Sequence, residues 1–104
     1  MSDAVDYEVV VVGGGPAGLS AALYATRLGH RTALLDRGGG RAAMMRDTHN
    51  VVGVPESVSG KEFLATAQEQ LESYGTDIHR DYVEAVERTA DGFRLDGTSS
   101  TVTA

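Results

Sequence analysis

Residues 7–18, YEVVVVGGGPAG, decide the fold of this chain. The β-branched, apolar first half is typical of a strand buried on both faces of a parallel sheet. Three glycines stop this strand, and Pro16 suits the first turn of a helix that we predict from Pro16 to Leu28. Thr32 to Leu35 form a second short strand, closed by Asp36. The stretch therefore predicts a compact βαβ unit.

The residues between the first strand and the helix, GGGPAG, match a dinucleotide-binding pattern in its proper context. Gly13 permits the tight turn, Gly15 lets a pyrophosphate approach the backbone, and Gly18 lets the helix pack closely on the strand. The N–H groups and positive dipole end of the helix then face the phosphates. The alternative is a glycine turn that holds no ligand.

Asp36 completes the pattern, because it lies 18 residues after Gly18 at the end of the second strand. A carboxylate there accepts hydrogen bonds from the ribose hydroxyls of an adenosine and repels a 2′-phosphate, which argues against NADP at this site. The pattern alone does not separate FAD from NAD.

The remaining chain predicts a long loop, a second helix and three further strands. The loop covers residues 37–58, and a short helix from Ala42 to Arg46 is one option within it. The capping box of Ser59 and Glu62 opens a helix that runs to about Tyr74 and is ended by Gly75. A strand at Thr76 to His79 follows, and then a hairpin of Tyr82 to Arg88 with Phe93 to Asp96, turned by Asp91 and Gly92. The last residues, GTSSTVTA, are small and polar, and we assign no element to them.

Composition narrows the possible functions. The 104 residues make one domain at most, and the absence of cysteine excludes a thiol pair within this polypeptide. The net charge of −6 argues against nucleic acid as a partner, and the longest apolar run, Val9 to Val12, is too short for a membrane span. The acidic N-terminus does not resemble a signal peptide, so we expect a cytoplasmic protein. Acidic residues with a single Lys suggest either a halophile or a GC-rich genome.

The stretch GGGPAGLSAALYATRLGHRTALLD, residues 13–36, resembles the N-terminus of thioredoxin reductases and related flavoproteins with two dinucleotide-binding domains. The similarity extends over roughly residues 7–97. Gly39-Gly40-Arg41 resembles the family's Gly-Gly-Gln, residues 49–55 resemble its Glu-Asn-Phe-Pro-Gly-Phe-Pro, and residues 59–63 its next helix start. Tyr82-Val83 falls where the family's backbone contacts adenine, and residues 93–95 match the strand after it.

The resemblance implies an α/β, Rossmann-type FAD/NAD(P)-binding domain, with a parallel sheet, flanking helices and a β-hairpin or meander. It implies bound FAD, with NAD(P)H as co-substrate, in a flavin-dependent oxidoreductase. The cofactor-binding residues that we predict are Gly13, Gly15, Pro16, Ala17, Gly18, Asp36, Arg37, Gly40, Arg41, Asn50 and Val83. We predict no catalytic acid, base or nucleophile and no metal ligand in this chain.

Several points of the resemblance stay open. Arg41 stands where the family usually has Gln, and Asp36 stands where it usually has Glu. Two roles are open for Arg41: it pairs with a phosphate of the cofactor, or it is a solvated loop residue. His49 contacts the isoalloxazine or has an ordinary loop role, and Met44 and Met45 face the flavin or fill the core.

The chain also ends before three parts of the family's pattern: a strand ending in Ala-Thr-Gly, the NADPH domain and a returning FAD segment. We therefore expect residues 1–104 to be the N-terminal part of an FAD-binding domain, incomplete at its C-terminal end and without a separate NADPH domain. Val9 to Val12 would then form an open apolar edge that pairs with the missing C-terminal half or with a homologous subunit, as in a homodimer. The alternatives are an NAD-binding dehydrogenase domain, or a non-catalytic dinucleotide-binding module that completes a partner chain.

Overall fold

A computed structural model describes residues 5–38, 52–55 and 57–104 of the chain. These residues form two helices and six strands. The elements in chain order are β1 (Val9–Val12), α1 (Pro16–Arg27), β2 (Thr32–Asp36), α2 (Gly60–Ser73), β3 (Asp77–Arg80), β4 (Val83–Arg88), β5 (Phe93–Gly97) and β6 (Thr101–Thr103). Neither described helix is long and apolar enough to cross a membrane. The short helix predicted from Ala42 to Arg46 lies outside the described residues.

The first three strands form a parallel sheet in the order β1-β2-β3. The register pairs Val10 with Ala33 on one side of β2 and Leu34 with Ile78 on the other. Because β2 has a hydrogen-bonded neighbour on each side, it is the most completely buried strand, from Thr32 to Leu35. The predicted βαβ unit is therefore confirmed, with β2 rather than β1 in the middle of the described sheet.

The prediction that β1 is buried on both faces is wrong. Val9, Val10 and Val11 are half-buried, and the side chain of Val12 is 55% exposed. Within the described residues β1 pairs with β2 only, so its second edge has no strand beside it. This agrees with the expectation of an open edge; what covers that edge stays a prediction.

One face of the parallel sheet packs against the two helices. Leu19 and Ala22 of α1, Leu34 of β2 and Leu71 of α2 form a buried cluster at this interface. Burial of such side chains contributes about 1.5–3 kcal/mol for each Leu. The helix start at Ser59 is confirmed, because its hydroxyl accepts a hydrogen bond from the Glu62 amide while the Glu62 carboxylate accepts one from the Ser59 amide, both at 3.1 Å.

The opposite face of the sheet carries an antiparallel meander, β4-β5-β6. Leu35 of β2 packs there with Leu95 of β5 and Val102 of β6. Leu34 and Leu35 thus belong to different cores, because successive strand residues point to opposite faces. The domain has three layers: helices, parallel sheet and meander.

The hairpin of β4 and β5 is confirmed, and the small polar residues that follow it contain a further strand that the sequence did not predict. Residues Thr101–Thr103 form β6, in which Val102 pairs with Leu95. The main chain of Tyr7 adds a further hydrogen bond, from its amide to the Thr103 carbonyl at 3.1 Å. A strand of three residues has too little periodicity to be found in the sequence.

Asp81 joins the parallel sheet to the meander. Its buried carboxylate accepts hydrogen bonds from the amides of Tyr82, Ser99 and Ser100 and from the hydroxyls of Thr98 and Ser100, at 2.8–3.2 Å. The Thr98 hydrogen bond, helped by those of Ser99, Ser100 and Tyr82, lowers the pKa of Asp81 to about 2, against the opposing effect of desolvation. Ionised Asp81 therefore holds the β5–β6 turn against the start of β4.

This depressed pKa predicts acid sensitivity of the fold. The unfolded chain binds a proton at Asp81 near pH 4 while the folded chain does not, so the stabilisation by Asp81 is complete above that pH and is lost as pH falls towards 2. Urea unfolding followed by circular dichroism between pH 2 and pH 6 measures this. The stability difference between wild type and Asp81→Asn should shrink as pH falls; a difference independent of pH would contradict the assignment.

Candidate dinucleotide-binding site

The glycine turn after β1 leads directly into helix α1. Gly13 has a φ of +104°, which suits glycine, and its amide donates a hydrogen bond to the Leu35 carbonyl at 2.8 Å. Gly15 is the N-cap in an extended conformation, and Pro16 is the first helical residue. No side chain of the described residues caps this helix, and no acidic residue lies in its first turn. The helix start therefore presents amide donors and a positive dipole end without a competing carboxylate.

Gly15 and Gly18 differ in the space around them. A Cβ atom added at Gly15 would meet no atom of residues 5–38, 52–55 and 57–104 within 4 Å, so these residues leave the backbone there open to a bound group. A Cβ at Gly18 would lie 1.8 Å from the carbonyl oxygen of Gly13. Gly18 is thus required by the close contact of α1 with the turn, as the sequence predicts, whereas no packing within the described residues requires Gly15.

Asp36 lies under the same turn, at the end of β2. Its Oδ1 accepts a hydrogen bond from the Gly14 amide at 3.1 Å. A Cβ at Gly14 would lie 2.6 Å from the Asp36 carboxyl carbon, so the second glycine is needed for this approach. Our predicted set omitted Gly14. The unbroken run of three glycines was a signal for it, although the dinucleotide-binding pattern leaves this position unrestricted.

The turn, the end of β2 and the start of β4 enclose an open pocket of about 280 Å³. It is formed by three chain segments, and its lining residues are Val12, Gly13, Gly14, Gly15, Leu35, Asp36, Arg37, Gly38, Asp81, Tyr82 and Val83. Four glycines, two acids and main-chain amides thus share one concave surface, which suits the phosphate and sugar of a nucleotide.

The structure brings together most of the predicted site residues that it describes. Gly13, Gly15, Asp36, Arg37 and Val83 line the pocket. Three further predicted residues occupy the first turn of α1, next to the lining glycines: Pro16, Ala17 and Gly18. Gly40, Arg41 and Asn50 lie outside the described residues, as do the alternatives raised for Met44, Met45 and His49.

The pocket wall also contains Gly38, Asp81 and Tyr82. The predicted cofactor-binding set omitted all three, although the resemblance pointed to the Tyr82-Val83 backbone as an adenine contact. The Arg37 guanidinium carbon lies 5.2 Å from the centre of the Tyr82 ring, within the range of a cation–π contact. The two residues are 45 positions apart in sequence. The pairing of Asp36 with Arg80 across β2 and β3 places them side by side, and no local pattern encodes that arrangement.

A second polar cluster lies away from this pocket. The Tyr7 hydroxyl donates a hydrogen bond to Asp77 at 2.8 Å and lies 3.2 Å from His79 Nε2. Burial, then the hydrogen bond to Asp77, raises the pKa of Tyr7 to about 12. The cluster ties the segment before β1 to β3. Among residues 5–38, 52–55 and 57–104, no group of three or more His, Cys, Asp or Glu side chains could hold a metal ion.

The βαβ unit, the glycine turn at a helix start and the acid at the end of β2 define a Rossmann-type domain with a dinucleotide-binding arrangement. The family described as pyridine nucleotide-disulphide oxidoreductase matches residues 7–103, almost the entire chain. The chain belongs to this family.

Several relatives are thioredoxin reductases. The enzyme of Rickettsia bellii is 38% identical over 96 residues, which cover 90% of this chain and 31% of the relative. The enzyme of Aquifex aeolicus is 37% identical over 87 residues, which cover 82% of this chain and 27% of the relative. The structure of a thioredoxin reductase from Gloeobacter violaceus matches with a TM-score of 0.88 and 32% identity, over 95% of this chain and 32% of that one. The T. acidophilum thioredoxin reductase gives a TM-score of 0.82 and 33% identity over 94% and 33%. The chain spans about a third of the length of these relatives.

The contact between Gly18 and Gly13 predicts a stability defect. Gly18→Ala should lower the free energy of unfolding by about 1–3 kcal/mol, because the added methyl group would overpack against the backbone of the turn. Ser20→Ala, an exposed change on the same helix, should alter it by less than about 0.5 kcal/mol. Denaturant unfolding of both variants tests this, and a Gly18→Ala protein as stable as wild type would refute it.

Proposed function

We propose that this chain binds FAD and forms the N-terminal part of the FAD domain of a flavin-dependent pyridine nucleotide oxidoreductase that resembles thioredoxin reductase. The observation that carries the proposal is the open space at Gly15. A dinucleotide pyrophosphate needs bare backbone at the start of a helix, and a Cβ atom at Gly15 would meet no atom of the described residues within 4 Å. Family membership over residues 7–103 supports the choice of this class.

Each part of the proposed site suits one part of the dinucleotide. The amides of Ala17 and Gly18, at the uncapped start of α1, suit the pyrophosphate oxygens. The Asp36 carboxylate, held by the Gly14 amide, suits the ribose hydroxyls. The backbone at Val83 lies on the far side of the same pocket, where the adenine would be contacted.

The Asp36 carboxylate also sets a limit on the cofactor. A 2′-phosphate on the adenosine ribose would bring two further negative charges against this acid, at an energetic cost that FAD and NAD do not incur. The proposed site therefore favours dinucleotides with an unmodified ribose. In this proposal NADPH, if it is the co-substrate, binds elsewhere in the whole protein.

The redox chemistry of this class comes from the flavin, which accepts hydride from NAD(P)H and passes electrons to a disulfide or another acceptor. The residues of this chain bind and orient the adenosine and pyrophosphate end, and none is assigned as a catalytic acid, base or nucleophile. We extend the proposed binding set to Gly40, Arg41 and Asn50 on the strength of the family pattern alone.

An NAD-binding dehydrogenase domain is the competing function, because the βαβ unit and its acid serve NAD equally well. The meander distinguishes the two: β4-β5-β6 covers the face of the parallel sheet opposite the helices and contributes Val83 to the pocket. The thioredoxin reductase structures align over more than nine-tenths of this chain, meander included. The flavin class is therefore the better-supported proposal.

The binding test uses calorimetric titration of the purified chain with FAD and, separately, with NAD⁺. FAD should bind more tightly than NAD⁺. Gly15→Ser should weaken FAD binding at least tenfold, about 1.4 kcal/mol, because the added hydroxyl would fill the open space and occupy the helix amides. Its melting temperature should stay equal or rise, because Ser is a favourable N-cap.

Ala21→Ser is the matched control, because it adds the same hydroxyl at an exposed position of α1 away from the turn; it should bind FAD as wild type does. Failure of the wild-type chain to bind FAD, or equal affinity of Gly15→Ser, would refute the proposal. Preference for NAD⁺ would favour the dehydrogenase alternative.

A further inference from the structure

The meander contains two Asp-Gly dipeptides, Asp91-Gly92 and Asp96-Gly97. In such a dipeptide the main-chain nitrogen of the glycine can attack the side-chain carboxyl carbon of the aspartate, because no Cβ atom on the glycine hinders the approach. The two dipeptides have the same chemistry, but the structure holds their reacting groups differently. This difference decides which of them can react in the folded chain.

Asp96-Gly97 is held at both reacting groups. The Gly97 amide donates a hydrogen bond to the Ser100 carbonyl at 2.8 Å. The Asp96 carboxylate accepts a hydrogen bond from the Thr101 hydroxyl at 3.2 Å and lies 3.4 Å from Arg94 Nε. Because both residues belong to β5, attack of the nitrogen on the carboxyl carbon requires a local opening of the sheet first.

Asp91-Gly92 lies at the tip of the hairpin between β4 and β5, where Asp91 is exposed. Among the residues that the structure describes, none donates a hydrogen bond to the Asp91 carboxylate, and the Gly92 amide donates to none. Both reacting groups are therefore accessible without any opening of the sheet.

We infer that Asp91 is a site of spontaneous isomerisation to isoaspartate. The Gly92 nitrogen forms a bond to the Asp91 carboxyl carbon, and the amide proton leaves with the carboxyl hydroxyl as water, which closes a succinimide ring. Water then opens the ring. Hydrolysis at the side-chain carbonyl restores aspartate, whereas hydrolysis at the main-chain carbonyl leaves the chain running through the Asp91 Cβ. One water is released and one is consumed, so mass and oxidation state do not change.

The isomerised main chain is one carbon longer beside a close contact of Gly92. A Cβ atom at Gly92 would overlap the Ala104 carbonyl oxygen, and the Gly92 carbonyl accepts a hydrogen bond from the Thr89 amide at 2.8 Å. Phe93 exchanges two main-chain hydrogen bonds with Ala104, at 2.7 and 2.9 Å. The extra carbon would displace Gly92 from this contact, so we expect isomerisation to loosen the pairing of Phe93 with Ala104.

Trypsin separates the two dipeptides, because cleavage after Arg88 and Arg94 releases residues 89–94 and residues 95–104 as different peptides. The full chain is aged at neutral pH below its melting temperature and then digested. Chromatography with mass spectrometry, and labelling by an isoaspartyl methyltransferase, quantify isoaspartate in each peptide. In the folded chain isoaspartate should form at least about tenfold faster in residues 89–94, because reaction at Asp96 needs the local opening. In urea the two rates should agree within about threefold, since glycine follows both aspartates.

Asp91→Glu is the matched variant, because glutamate keeps the charge but would have to close a larger ring. It should abolish isoaspartate in residues 89–94 and leave residues 95–104 unchanged. The aged wild-type fraction that carries isoaspartate should melt at least about 4 °C below the unaged chain. Aged Asp91→Glu should melt as it did before ageing, which controls for other changes during storage.

Equal rates in the two peptides of the folded chain would overturn the assignment of Asp91. So would the absence of isoaspartate from residues 89–94 of the folded chain when the same peptide forms it in urea. An unchanged melting temperature of the modified fraction would overturn the loosening of the Phe93–Ala104 pairing. Cofactor binding enters none of these measurements, and the proposed function does not depend on their result.

Discussion

The contact between helix α1 and the turn before it governs the arrangement of this domain. Gly18 lies so close to the Gly13 carbonyl that a single methyl group would not fit, and this closeness places the helix start directly over the end of β1. The same turn is held from below by Asp36, through the Gly14 amide. Three glycines thus allow the amides of a helix start and the Asp36 carboxylate to lie in one pocket. The strand and the helix alone would not bring these groups together.

The helices and the meander pack on opposite faces of the parallel sheet. The helices bury Leu34 and fix the outer face of the parallel sheet, while the meander buries Leu35 and forms the far wall of the pocket. Asp81 links the meander to the parallel sheet, because its amide donates a hydrogen bond to the Asp36 carbonyl at 3.0 Å while its carboxylate holds the β5–β6 turn against the start of β4. The shape of the pocket therefore depends on the meander as much as on the glycine turn, and the match to thioredoxin reductase structures includes both parts.

Local signals in the sequence were sufficient for most of the fold. The glycine turn, the capping box of Ser59 and Glu62, and the turn before Phe93 each act over a few residues, and each predicted its element to within about two residues. The strand β6 escaped prediction because its three residues carry too little periodicity. The exposure of β1 and the hydrogen bonds of Asp81 to residues 98–100 escaped because they depend on segments distant in sequence. The Arg37–Tyr82 contact escaped for the same reason, whereas Asp36 was found because its distance from the glycines is itself part of the pattern.

The most direct test of the account is to follow the backbone amides of the chain by nuclear magnetic resonance during titration with FAD. The account predicts that the largest shifts occur at Gly15, Ala17 and Gly18 and at Asp36, with the Tyr7–Asp77 cluster unaffected. Shifts centred on that cluster, or on the exposed helix surface near Tyr24, with the glycine turn unchanged, would contradict it.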